Sequence, residues 1–159
     1  MTPFRIRSET RDWFREFRGG GKPFKTDFDA FYFCFIAGIA SGNKNTAVAV
    51  SDTDELVAYF PDRYASRGRL LVALFLTREL QELGVTMAER NAVHTNIARL
   101  VDPGAPNYLS DDGVREFNRW SWGGFDVLLS QFDDRPRSLD SFLRAFKRII
   151  DAQLGSLSA

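Results

Sequence analysis

The chain has 159 residues, 44% of them apolar and 26% charged, with 21 basic against 21 acidic side chains. That composition fits one globular domain burying roughly 70% of its unfolded surface, and it excludes a disordered tail. One Cys and one His exclude an internal disulfide, Cys-rich metal clusters and multi-His zinc sites. No apolar run is long enough to span a membrane, and the Arg-rich start lacks the apolar stretch of a secretory signal. The expectation is a cytoplasmic domain with no membrane partner, metal or cofactor.

Taken in chain order, the first predicted helix runs from Ser8 to Arg18, with Thr10, Trp13, Phe14 and Phe17 as its inner stripe. Gly19-Gly20-Gly21 ends it. The second starts near Thr26 or Asp27. It is apolar all round, through Phe28, Phe31, Tyr32, Phe35, Ile36 and Ile39 on one face and Phe33 and Cys34 on the other, which predicts a buried central helix. Ser51 and Asp54 read as a capping box for a short helix ending at Pro61, with a hairpin of Thr46–Val50 and Glu55–Phe60 as the alternative. A long helix from Ser66 to Leu83 turns Leu70, Leu71, Leu74, Phe75 and Leu83 inward. Thr86 and Glu89 cap the next, through Val93, Ile97, Leu100 and Val101. Ser110 caps another through Val114, Phe117, Phe125, Leu128 and Phe132, where Gly123-Gly124 predicts a kink or a close helix contact. Ser138 opens the last, whose stripe is Leu139, Phe142, Leu143, Phe146, Ile149 and Ile150. The prediction is an all-α fold: one domain, residues 1–159, an orthogonal bundle of six or seven helices.

Enzyme chemistry finds little purchase. Cys34 lies between Phe33 and Phe35 and reads as a small core residue, not a thiolate. His94 edges an apolar stripe and reads as partly buried and hydrogen-bonded. Gly19-Gly20-Gly21-Lys22 lacks the phosphate-loop spacing, since Glu16 and Pro23 occupy the places where that motif needs Gly and Ser or Thr. The pairs Asp52/Asp54, Asp111/Asp112 and Asp133/Asp134 read as caps and turns. No catalytic residue is assigned.

Charge is uneven. Residues 1–25 hold seven basic and three acidic side chains, a net of +4 that the rest of the chain balances. Arg11, Arg15 and Arg18 fall on one stripe of the first predicted helix, a spacing at which like charges repel. With Lys22 and Lys25, and with Arg144, Lys147 and Arg148 on the polar face of the last helix, they are the candidate nucleic-acid contacts. An overall pI near 6.6 argues against strong nonspecific DNA binding. Trp120, Trp122 and Phe125 are the candidate protein interface, because two tryptophans two residues apart on a helix point different ways; either one is left for a partner or a wide, bulky core face takes both.

Arg5-Ile6-Arg7-Ser8, a short charged helix, Phe24-Lys25-Thr26, and an aromatic helix from Phe28 to Ala40 bearing Gly38 and followed by Ser41 and Gly42 come in this order. The arrangement resembles the small helical proteins of Dnd-type DNA-phosphorothioation and related phage-defence clusters, DndE among them. Trp122-Gly123-Gly124-Phe125 is similar to a glycine-aromatic segment of such proteins. The resemblance covers about a quarter of the chain and includes no catalytic motif. It implies an accessory protein that contacts the DNA backbone through basic residues, protein partners of a modification or restriction complex, or both. A protein–protein adaptor without nucleic acid and a Mg²⁺-dependent nuclease stand as the alternatives, and self-association is open.

Overall fold

The computed structural model describes residues 1–157, so the last two positions of the expected 1–159 domain lie outside the described residues. Helix accounts for 61%. The elements are β1 (Arg5–Arg7), α1 (Ser8–Trp13), α2 (Asp27–Ser41), β2 (Thr53–Glu55), α3 (Asp62–Ala65), α4 (Gly68–Glu82), α5 (Arg90–Leu100), α6 (Asp111–Gln131) and α7 (Leu139–Leu157). The two strands pair with each other. The all-α prediction stands, with seven α-helices among the described residues.

The chain forms two compact units, each discontinuous in sequence. One is Met1–Phe4 with Glu55–Asn118; the other is Arg5–Asp54 with the rest of the chain from Arg119. In the first, Phe4, Phe60, Phe75 and Phe117 form a ring cluster with centroids 5.2 to 6.3 Å apart. α4 buries Gly68, Leu71, Val72, Phe75, Glu79 and Leu80. Leu71 and Phe75 of the predicted stripe face inward, but Leu70, Leu74 and Leu83 are exposed at 59%, 37% and 47%. Gly68 sets the rotation: a Cβ there would sit 2.7 Å from the Phe60 ring, so this side of the helix must lie against it. His94 is exposed, not partly buried. Ser110 caps α6 as predicted, its hydroxyl accepting from the Gly113 N–H at 3.1 Å.

In the second unit, Thr26 and Asp29 form a reciprocal capping box on α2. The predicted first helix ends early. After Trp13 the chain tightens into a 3₁₀ turn, Arg15–Phe17. Residues i and i+3 eclipse in such a turn, which brings Phe14 and Phe17 together onto Phe142 of α7, with centroids at 5.3 and 5.7 Å. The segment read as a helix ending at Pro61, or as a local hairpin, is neither. A 3₁₀ turn at Val50–Asp52 leads into β2, which pairs with β1. Buried Thr53 fixes this register: its Oγ1 donates to the Val50 carbonyl (2.6 Å) and accepts from Arg5 Nε (2.8 Å). A partner 48 residues away leaves no local periodicity to read.

Gly123 and Gly124 do not kink α6, which runs unbroken through them. They allow a close contact. A Cβ on Gly124 would fall 1.6 Å from the Cys34 carbonyl oxygen, one on Gly123 2.2 Å from that of Asn43, and one on Gly38 of α2 2.1 Å from that of Trp120. The backbones of α2 and α6 touch with no side chain between them.

Candidate nucleic-acid interface

Of the seven basic residues before position 26, four are committed inside the second unit. Arg5 bonds to Thr53. Arg7 has a side chain only 14% exposed. It donates to Asp126 Oδ1 (2.7 Å) and the Trp122 carbonyl (3.1 Å), and lies 5.0 Å from the Phe125 ring centroid. Arg11 bridges Asp27 (2.9 Å) and Asp54 (3.2 Å), and Arg18 bonds to the same Asp27 oxygen at 2.6 Å. The Arg11 hydrogen bond, helped by Ser8, holds the Asp54 carboxyl below the usual range. That stabilisation is present above the ordinary carboxylate pKa and is lost as pH falls through the depressed value.

The predicted stripe is therefore not a free basic face. Arg11, Arg15 and Arg18 do line one groove of about 720 Å³, but Asp12, Asp27 and Asp54 line it too. Two things were hidden from the sequence. The α-helix ends at Trp13 and a 3₁₀ turn follows at Arg15–Phe17, so the three arginines reach one groove without sharing one helix. Asp27, read as a cap, turns its carboxylate to the arginines, while Asp29 does the capping.

Arg15, Lys22 and Lys25 are exposed and carry no ion pair among the described residues. The last two belong to a tight loop. Lys22 donates its N–H to the Gly19 carbonyl (3.0 Å), and Phe24 donates to the Phe17 carbonyl (2.8 Å). Gly19 and Gly21 take φ values of 131° and 75°, conformations that side chains rarely adopt. Nothing approaches within 4 Å of the Cβ positions of Gly20 and Gly21, so backbone and cations are presented together to solvent. Phe24 of this loop stacks on Phe33 at 5.7 Å, and Phe33 meets Phe142 and Phe146 of α7 edge-on. The same aromatic cluster thus carries the loop and the helix with the remaining candidates. On α7, Arg144 pairs with Asp140 (3.0 Å) and Lys147 with Asp151, both exposed pairs within the helix, while Arg148 is unpaired among the described residues.

The candidate protein interface falls in the core. Trp120, Trp122 and Phe125 are 0%, 5% and 1% exposed. The tryptophans do point different ways, but both directions are covered. Lys44 Nζ lies 5.9 Å from the Trp120 ring, and Trp122 Nε1 donates to the Arg5 carbonyl at 2.9 Å. The segment that could present a hot spot is instead wrapped by the start of the chain and the stretch after α2.

Cys34 is 1% exposed. Burial pushes its thiol far above its ordinary 9.0, against the opposing pull of Arg7 and with a further push from Asp126. The neutral thiol is favoured in the folded state, so this contribution is full below about pH 9 and fades as pH rises. Native protein is expected to react with a thiol reagent only at its unfolding rate, and denatured protein at once; fast native labelling would contradict the burial. Among the acidic pairs, Asp112 pairs locally with Arg115 and Asp134 accepts from the Arg135 N–H, whereas Asp54 is held by Arg11 and Asp111 accepts from Thr2, both distant in sequence. No group of three His, Cys, Asp or Glu side chains among the described residues is placed to hold a metal ion, and no described helix is long and apolar enough to cross a membrane.

No family model, curated protein or solved structure matches the chain.

Proposed function

We propose that this protein is a non-catalytic accessory module of a cytoplasmic DNA-modification or phage-defence system, and that it contacts the nucleic-acid backbone through the Gly19–Lys25 loop. One observation carries the reading. In a segment whose other cations are engaged internally by carboxylates or by Thr53, Arg15, Lys22 and Lys25 carry no ion pair among the described residues and lie beside an exposed glycine backbone. Cations with exposed N–H groups are the equipment of phosphate contact. The resemblance to proteins of Dnd-type clusters supports the same class, and a protein partner of that system is compatible with it.

This reading moves the contact from the Arg11–Arg18 stripe to the loop, with Arg148 as the additional free cation on α7. Fluorescence anisotropy of a labelled duplex at low salt separates the two. Lys22→Glu with Lys25→Glu is expected to abolish binding. Arg11→Gln should change affinity by no more than about twofold, since its guanidinium is already held by two carboxylates. Loss on Arg11→Gln with retention in the loop variant would return the contact to the stripe.

A further inference from the structure

In the first unit, α4 and the loop after α5 flank an open hollow of about 340 Å³, within the size range of small-molecule sites. Val72, Ala73 and Leu76 form one wall, Val101, Pro103 and Tyr108 the other, and Arg69 is the one charged residue lining it. The loop is closed on itself. Val101 pairs with Leu109, the Asp102 N–H donates to the Tyr108 carbonyl, and the Tyr108 N–H donates to the Ala105 carbonyl, both at 3.0 Å.

Tyr108 sits at φ 63°, a left-handed conformation taken by no other non-glycine among the described residues. Bulky side chains are strained there, and glycine or asparagine would fit better. Its neighbour Asn107 is 1% exposed; its Oδ1 accepts from the Leu109 N–H (3.0 Å), and its Nδ2 is buried without a partner. Two local costs thus sit side by side in one pinned loop, and such costs concentrate at binding sites. The Tyr108 ring forms part of the wall of the hollow. Arg69 lies over that ring, its guanidinium carbon 5.4 Å from the centroid, and has no carboxylate in ion-pair range among the described residues.

We propose that this hollow binds a small amphiphilic carboxylate, its apolar or aromatic body between Val72, Leu76 and Tyr108 and its anionic group on Arg69. Two sources present that chemistry: a free organic acid, and the C-terminal carboxylate of a peptide with an apolar last residue. The site is independent of the nucleic-acid reading.

Titration of the ¹⁵N-labelled chain tests it, using phenylacetate, phenylacetamide, and an Ala-Ala-Phe tripeptide as free acid and as C-terminal amide. Saturable shifts at Val72, Leu76 and Tyr108 are expected with the acids, and roughly fivefold weaker binding of the matching amides. Arg69→Gln should erase the acid preference. Ala73→Phe, at an exposed position of α4, should fill the hollow and abolish binding while the remaining spectrum is unchanged. Tighter binding of the tripeptide acid assigns the site to a peptide terminus, and tighter binding of phenylacetate to a free acid. No saturable shifts with any probe, equal affinity for acids and amides, or wild-type binding by Ala73→Phe overturns the proposal.

Discussion

Gly124→Ala is expected to destabilise the protein by about 3 kcal/mol or more, a large part of the stability of a domain this size. The added methyl would lie 1.6 Å from the Cys34 carbonyl oxygen and 2.6 Å from its carbon. Those atoms are helix backbone and cannot swing aside as a side-chain tip would. Relief requires α2 and α6 to separate, which strips contact from the buried faces carrying Phe31, Phe35, Trp120 and Phe125. Gly38→Ala should behave alike, meeting the Trp120 carbonyl oxygen at 2.1 Å. Gly20→Ala is the control: no atom lies within 4 Å of its Cβ position and its φ is not positive, so it should be neutral within about 0.5 kcal/mol. Urea unfolding midpoints of the three variants check this. A Gly124→Ala protein as stable as the parent would mean that the two helices are not in backbone contact.

The second large effect is expected at Arg7. Arg7→Met keeps the length of the apolar stem but takes a donor from the Trp122 carbonyl and from Asp126 Oδ1, leaving the Asn45 amide (2.7 Å) on Asp126 Oδ2. Removing one side of a largely buried pair costs about 2–4 kcal/mol, tempered here because Asp126 is partly exposed. Asp126→Asn in the Arg7→Met background should recover part of the loss, giving a coupling energy of about 1 kcal/mol in a double-mutant cycle. Strictly additive effects would show the pair to be a bystander.

Much of the helical framework is legible in the sequence because it is written locally. Thr26 with Asp29, Ser110 and Ser138 each mark a helix start through a bond spanning three residues. The Gly123-Gly124 pair announces a close contact, though not its partner Cys34. What the sequence conceals is set by residues far apart. β2 exists because Thr53 meets Arg5. The rotation of α4 follows from Gly68 against Phe60, and buried Glu79 interrupts the apolar pattern that would have displayed it. The candidate site suffers most. Counting charges along residues 1–25 finds a basic segment, but Asp54 and Asp126, which cancel Arg11 and Arg7, lie 43 and 119 residues downstream. The exposure of the glycine loop and its lysines is legible in the sequence, since a loop needs no distant partner to stay exposed.

The account turns on whether that loop neutralises phosphates, and the salt dependence of DNA binding measures this directly. Each phosphate contact releases counterions, so three contacts from Arg15, Lys22 and Lys25 predict a log–log slope of about −3 on duplex DNA. Affinity should be weak, around micromolar at low salt, because acidic residues oppose approach of a chain with no net charge. Intact and nicked duplexes, measured at several salt concentrations with the wild type and with Lys22→Glu/Lys25→Glu, complete the experiment. The account predicts a slope near −3 for the wild type and no measurable binding by the variant. A wild type with no salt-dependent binding, or a variant with an unchanged slope, would contradict it.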